Sequence, residues 1–287
     1  MSIEVVVPSP VEGFMPSVFD SVVLFLSGGF HDLGLRPRVV SGLPSGTCPA
    51  VLLAPHVLEV DAIGSLPADT ILYNFEQLGD EGTRLVSPEM VEAMSGCTVW
   101  DYSQQNLRFW RGRGSRRCLA VPLGHHRIMG GSVPRGRRPR YDVVFYGSMN
   151  DRRRQVLAQL QDLGLTLGLV SGYYGSELDE VLAEARLVLN IHFYETAIME
   201  IVRLSHLWAN EVPVLTEFAP GTESFFGMEN DIPTARYEKL ADSVAVLLRS
   251  GTDLDDRARR ARAAYAHRAP ADRILATALR ATAELAR

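Results

Sequence analysis

Basic charge, cysteine and long apolar runs are all in short supply in this 287-residue chain. The formal net charge is -5 and the isoelectric point lies near 5.8, which gives no reason to propose nucleic acid as a bulk partner. Cys48, Cys97 and Cys118 stand far apart, and three is an odd number, so neither a disulfide framework nor a zinc-type spacing is expected. That usage points to a reducing compartment. The opening residues, Met1-Ser2-Ile3-Glu4-Val5-Val6-Val7-Pro8, lack the basic start of a signal peptide and read directly as a strand. No apolar run reaches the length of a bilayer span, so a cytoplasmic location is expected. A G-x-G-x-x-G run after the first strand is missing, which disfavours hydride chemistry on a dinucleotide. His125-His126 has no acidic or cysteine partner at ligand spacing, so no metal is assigned. No solenoid-period repeat is visible.

What is present is ordinary globular material, 46% hydrophobic and 22% charged, in a chain long enough for two domains with their own cores. The most informative stretch is residues 141–217. It opens Tyr141-Asp142-Val143-Val144-Phe145-Tyr146-Gly147-Ser148-Met149-Asn150 and passes into Asp151-Arg152-Arg153-Arg154-Gln155-Val156-Leu157, a buried strand, a tight turn and a helix start. Leu187-Val188-Leu189-Asn190-Ile191-His192-Phe193-Tyr194 predicts another strand, residues 195–210 a helix, and Val212-Pro213-Val214-Leu215-Thr216-Glu217 a further strand.

The first half repeats the pattern. Strands are predicted at residues 3–7, 38–40, 50–54, 70–76, 99–103 and 118–123, with a long helix from Pro16 and a shorter one capped by Ser87 with Pro88 at its first position. Strands alternating with helices imply a parallel sheet covered on both faces. The Arg-rich segment 108–140 reads as a solvated basic connector, and within it the run 130–140 as the linker, because Gly, Pro and Arg together disfavour helix and sheet. Past Glu217 come the loop Phe218-Ala219-Pro220-Gly221-Thr222, a short strand near Ile232-Pro233-Thr234, and helices over 237–248 and 254–287, the last broken at Ala269-Pro270. The expected organisation is α/β: two Rossmann-like domains with parallel sheets, residues 1–129 and 141–287, joined by 130–140, the second ending in a helical tail.

Several of these segments carry a family likeness. Asp142-Val143-Val144-Phe145-Tyr146-Gly147-Ser148, Leu189-Asn190-Ile191-His192 and Glu200-Ile201-Val202-Arg203 leading to Asn210-Glu211-Val212-Pro213-Val214 resemble the nucleotide-sugar domain of GT-B glycosyltransferases. Tyr73-Asn74-Phe75-Glu76-Gln77-Leu78 and Val99-Trp100-Asp101-Tyr102-Ser103-Gln104-Gln105-Asn106 are similar to signatures of bacterial glycosyltransferases related to the spore-coat-maturation group. The resemblance implies a GT-B-like fold and sugar transfer from a nucleotide-sugar donor, bound by the second half, to a hydroxyl- or amine-bearing acceptor on the first, with no cofactor besides the donor. One departure stands out. Counting back from Pro213, the two positions that hold glutamates in the common retaining pattern carry Ile198 and His206. Glu195, Glu200 and Glu217 are the nearby carboxylates, so inversion or retention stays open.

Gly147 and Ser148 sit at a strand-to-helix junction, where backbone can approach a diphosphate closely; the alternative is a simple strand stop. One of Arg152, Arg153 and Arg154 can pair with phosphate oxygens, and Arg153 is the choice. Tyr173 and Tyr174 offer a ring to stack on a base, or simply pack their loop. Glu200 and Arg203 form an intrahelical pair on the helix that, in the resembled family, approaches ribose and phosphates. His192, after a strand, and His206, on that helix, fall near the same place, as structural histidines or as ligand contacts. In the first half His56, Glu76 and Asp101 each follow a strand, and each is a candidate general base, with capping or loop hydrogen bonding as the alternative. A non-catalytic nucleotide- or sugar-binding protein of the same fold is the competing reading, and a sugar-nucleotide epimerase is disfavoured by the short chain.

Overall fold

A computed structural model describes residues 1–8, 16–78, 86–195, 198–218, 226–251 and 253–285. The loop around Gly13 and the run 219–222 lie outside them. The chain divides into two compact units, Met1–Ile128 with Ala269–Arg287, and Met129–Arg268.

The first unit is built on six parallel strands: β1 (Ser2–Val7), β2 (Arg36–Ser41), β3 (Ala50–Leu53), β4 (Thr70–Asn74), β5 (Thr98–Asp101) and β6 (Cys118–Ala120), in the order β2-β1-β3-β4-β5-β6. The central strands Ala50-Val51-Leu52-Leu53, Thr70-Ile71-Leu72-Tyr73-Asn74 and Thr98-Val99-Trp100-Asp101 are buried along their whole length, which is why they read as continuous apolar runs rather than alternating ones. Helices α1 (Asp20–Asp32), α2 (Val60–Gly64), α3 (Pro88–Ser95) and α4 (Gln104–Gly112) make the crossovers. Ser87 caps α3 as expected, its Oγ accepting from the Met90 N–H at 3.2 Å. One face of the sheet packs Val6, Leu52, Leu72 and Val99 against Met90, Met94, Leu107 and Trp110.

The second unit holds β7 (Tyr141–Tyr146), β8 (Leu167–Val170), β9 (Ala185–Asn190), β10 (Val214–Glu217) and β11 (Thr234–Ala235), parallel in the order β11-β10-β9-β7-β8. Helices α5 (Asp151–Asp162), α6 (Gly175–Leu182), α7 (Ile201–Ala209), α8 (Leu240–Arg249) and α9 (Leu254–Arg268) surround it. Val143, Phe145, Leu187, Leu189 and Leu215 form the core with Val156, Leu160, Leu240 and Val244.

Three expectations change. The second domain does not run to residue 287: of the C-terminal helices, which are expected to pack back across the join, α9 stays with the second unit and α10 (Ala271–Leu285) belongs to the first. Its buried face, Leu275 and Ala278, lies on α1, where a Cβ on Gly29 would meet Leu275 at 2.5 Å, and Thr282 Oγ1 accepts from Trp100 Nε1 at 2.9 Å. His125 anchors the crossing, donating its N–H to Ala269 O at 2.7 Å and accepting from the Ala271 N–H at 2.9 Å. The Arg-rich segment is not one connector, because it contains most of α4 and all of β6. Finally, residues 130–140 form a strap fixed to the second unit. Asn210 Oδ1 accepts from the N–H groups of Gly131 (2.8 Å), Ser132 (2.9 Å) and Val133 (3.4 Å), Arg135 pairs with Glu211 at 2.7 Å, and Arg137 pairs with Glu180 and Glu184.

Candidate functional site

The turn after β7 is shaped by Gly147, whose φ of +123° lies where side chains are rarely tolerated. A Cβ there would stand 2.6 Å from Arg203 Nη2 and 3.6 Å from Arg153 Nη1. The backbone angle favours glycine, and a side chain there would also have to displace the end of the Arg203 guanidinium packed against the turn. Asn150 caps α5, its Oδ1 accepting from the Arg153 N–H at 2.9 Å, while its Nδ2 donates to Phe193 O at 2.8 Å. A 12-residue helix thus starts beside the turn, with its N-terminal amides and dipole available to an anion.

Around this turn the structure gathers Gly147, Ser148, Arg153, His192, Glu200 and Arg203. Arg153 is only 2% exposed and spends its guanidinium inside the protein. It donates to Ile191 O at 3.0 and 2.7 Å, to Ser148 O at 2.7 Å and to Glu200 Oε1 at 3.0 Å. Burial lowers its pKa to about 10. The arginine expected to hold phosphate is instead the post that fixes the turn and the end of β9.

Arg203 has the freer guanidinium. Its Nη1 donates to Asn190 Oδ1 at 2.7 Å, its Nε is buried with no partner among the described residues, and its head lies 4.8 Å from the centre of the Tyr146 ring. Asn190 is held in turn by its Nδ2 donating to Thr216 Oγ1 at 2.9 Å. Glu200, at the N-cap of α7, stands between Arg153, Arg203 (3.9 Å) and His192 Nδ1 (3.3 Å). Burial alone would raise its carboxyl, but the His192 contact and the charges of Arg203 and Arg153 carry it down to about 2. Tyr146 is pushed upward by burial and stays a phenol.

The predicted strand through Tyr194 stops at Asn190, and the predicted helix from 195 starts at Ile201. The cause is local: the His192 N–H donates to Glu217 Oε2 at 3.0 Å and its carbonyl accepts from Arg152 Nη1 at 3.1 Å, so side chains replace the ladder. Arg152 and Glu217 pair bidentately, and the Arg152 head lies 3.9 Å from the Tyr237 ring centre. Sequence reading does not find this pair, since its members are 65 positions apart. Tyr173 is exposed after β8, Tyr174 is the residue before α6, and neither has a contact with the arginine cluster among those described. His206 points elsewhere on α7, its Nε2 2.7 Å from Asp179 Oδ1.

In the first unit, His56 and Glu76 come together, His56 Nε2 lying 3.5 Å from Glu76 Oε1. Ala54, the residue after β3, takes φ 44° and ψ 51°, a left-handed conformation that costs a non-glycine residue about 1 kcal/mol and turns Pro55-His56 toward the β4 end. Burial lowers His56 to about 4 and raises Glu76. His56 Nδ1 is buried without a partner among the described residues.

Asp101 does not join them as an open base. It is fully buried and accepts from Asn74 Nδ2 (2.8 Å), the Ser103 N–H (2.9 Å), Asn106 Nδ2 (3.0 Å) and Trp110 Nε1 (2.8 Å). Burial pushes its carboxyl up to about 7 against the pull of those donors. Both asparagine amides also donate to Glu76 O, at 2.9 and 2.8 Å, and Asn106 Oδ1 accepts from the Leu78 N–H at 2.9 Å. Asp101 thus fixes the Glu76 segment through Asn74 and Asn106. Among the described residues no group of three or more His, Cys, Asp or Glu side chains is placed to hold a metal ion, and no helix is long and apolar enough to cross a membrane.

No family model matches the chain. The uncharacterized protein L137 of Acanthamoeba polyphaga mimivirus is 35% identical over 80 residues, 27% of this chain and 11% of the viral protein, so the match spans about a tenth of that relative. Solved structures are similar over nearly the whole length. The DNA-modifying enzyme beta-glucosyltransferase, determined with and without uridine diphosphoglucose, has a TM-score of 0.62 at 12% identity, covering 98% of this chain and 99% of its own. HepE of Anabaena, in complex with UDP-glucose, has a TM-score of 0.60 at 11% identity over 96% and 99%. The chain has a GT-B fold. Identities of 11 and 12% show the fold alone.

Proposed function

We propose that this protein is a glycosyltransferase that moves a hexose or related sugar from a nucleoside-diphosphate sugar to a hydroxyl- or amine-bearing acceptor, of the kind related to the spore-coat-maturation group. The observation that carries the reading is the Gly147 turn, whose φ of +123° favours glycine, with the incompletely partnered Arg203 guanidinium against it and the start of α5 beside it. A diphosphate supplies the acceptor oxygens this arrangement lacks. In this reading Ser148 and Arg203 contact the donor, Tyr173 or Tyr174 stacks on the base, and Arg153, Glu200 and His192 hold the turn. Structures of the same fold that were solved with UDP-sugars support the substrate class.

Transfer needs a base for the acceptor. Glu76 fits best: burial raises its carboxyl above the ordinary carboxylate range, which strengthens it as a base, and it keeps a neutral imidazole as neighbour. In the reaction the acceptor proton passes to Glu76, the acceptor oxygen or nitrogen bonds to the sugar carbon, and the bond from that carbon to phosphate breaks with its electron pair leaving on the nucleoside diphosphate. Asp101 acts by positioning. A thermal-shift panel of nucleoside diphosphates and their sugars should identify the donor by a raised melting temperature. With that donor, Glu76→Gln should lower turnover about a hundredfold or more and leave donor binding intact. An unchanged rate would remove Glu76 from the reaction. Ile198 and His206 at the positions of the usual glutamates, with His206 engaged by Asp179, favour a second reading, a non-catalytic binding protein; donor binding without turnover of any acceptor would support it.

A further inference from the structure

Between Asp101 and Asp142 the chain contains no Asp or Glu, in a protein whose formal net charge is -5. The arginines of this run have two different fates. Those in the strap are used internally, Arg135 by Glu211 and Arg137 by Glu180 and Glu184. Those of α4 and the turn behind it are not. Arg108, Arg111, Arg113 and Arg116 are all exposed, and none makes an ion pair among the described residues. Arg117 follows them, half-buried, with its Nε lacking a partner. Part of this is ordinary, because cations near a helix C-terminus offset its dipole. One or two would suffice for that, and four exposed guanidinium groups within nine positions, with no carboxylate paired to them among the described residues, make a local positive patch that attracts an anionic surface.

Topology shows which way they face. Helix α4 leaves the sheet at the C-terminal end of β5, beside the Asp101 network, and returns to the N-terminal end of β6. Arg113 and Arg116 therefore lie toward the strand-start edge, away from the edge that carries His56 and Glu76. Arg108 and Arg111, three apart, share the outer face, and Gly112 and Gly114, each with open space where a Cβ would be, add no side chain on either side of Arg113. Single-stranded nucleic acid would need exposed rings for its bases, but Trp110 is fully buried and Arg113 covers Phe109 at 3.6 Å from the ring centre. A shallow, wholly guanidinium surface with no stacking ring fits a plane of phosphates.

We propose that Arg108, Arg111, Arg113 and Arg116 dock the first unit on the anionic phospholipid headgroups of a membrane surface, leaving the His56–Glu76 edge free. Contact is electrostatic and peripheral, since the apolar face of α4, Leu107 and Trp110, is buried in the core of the first unit. The proposal stands independently of sugar transfer. Its test is co-sedimentation of the full chain with phosphatidylcholine vesicles with and without phosphatidylglycerol, at low and high salt. The wild type should sediment with phosphatidylglycerol vesicles only, and be released by salt. The variant R108Q/R111Q/R113Q/R116Q, with an unchanged melting temperature, should lose at least roughly tenfold in vesicle affinity, and the corresponding four-lysine variant should keep most of it. A charge-matched control, R259Q/R260Q/R273Q/R280Q, should bind as wild type does. No binding to phosphatidylglycerol, equal binding to both vesicles, or an equal loss in the control would overturn the proposal. So would retention by duplex DNA in a gel shift without retention by vesicles, which would assign the surface to nucleic acid.

Discussion

Glu200 is the residue on which most charge converges. It is a buried carboxylate held by His192, Arg203 and Arg153, and its pKa is carried from an ordinary 4.5 down to about 2. A carboxylate depressed in the folded state contributes stability that is complete above its unfolded pKa and is lost as pH falls through the folded one. The window is therefore roughly pH 4.5 down to 2, and the contribution is of the order of 3 kcal/mol. Glu200→Gln should flatten the acid limb of a stability-versus-pH curve in that window and lower stability at pH 7; an unchanged limb would contradict the ion cluster. Asp101→Asn places an amide donor against donors, so the Asn74 and Asn106 clamps on Glu76 should loosen. Its expected signature is a shifted His56 titration in imidazole NMR with nucleotide affinity unchanged. At this scale Gly147 and the Glu200–Arg203 pair were legible, because turn glycine and i,i+3 spacing are local features. The role of Arg153 was not, because burial separates it from Arg152 and Arg154, and which of three successive arginines faces inward depends on helix phase against β9. Of the two readings of Asp101, the structure shows the hydrogen-bonding one, and its extent was not legible because its four donors arrive from β4, α4 and its own turn.

Among the elements, continuous apolar runs such as Ala50-Val51-Leu52-Leu53 and Val143-Val144-Phe145 made the strands plain, since a parallel sheet covered on both faces leaves no polar side to blur the pattern. Helix α4 was hidden by its own composition, Gln and Arg on the outside with only Asn106, Leu107 and Trp110 inside. The strap was hidden because its order comes from a distant acceptor. Asn210 Oδ1 serves three backbone N–H groups at once and Asn210 Nδ2 donates to Met129 O at 3.2 Å, so Asn210→Ala leaves several buried groups unpaired. The variant should be less stable by about 2–4 kcal/mol, and the amides of Gly131, Ser132 and Val133 should lose hydrogen-exchange protection first. Protection that persists would show that the Arg135 and Arg137 pairs hold the strap without it.

Across the whole molecule, the break at Ala269-Pro270 and the return of the C-terminal helices across the join were readable, whereas the division that leaves α9 with the second unit and gives α10 to the first was not. An amphipathic tail only announces that it must be covered, and the covering surface on α1 is an unusual one, the bare backbone at Gly29. Leu275→Ala should cost about 2–5 kcal/mol in the first unit. If the two units unfold separately, calorimetry should show the first transition lowered and the nucleotide-sensitive one unmoved. The GT-B fold itself follows from two parallel sheets whose strand orders are set by short crossovers. The central claim is that the second unit holds the diphosphate of a nucleotide-sugar at the Gly147 turn. Isothermal titration of the nucleoside diphosphate selected by the thermal-shift panel into wild type, Gly147→Val and Arg203→Ala tests it most directly. Wild type should bind, Arg203→Ala should lose about 1.5–3 kcal/mol, a factor of roughly ten to a hundred in affinity, and Gly147→Val should abolish binding while remaining folded. Wild-type affinity in both folded variants would contradict the account.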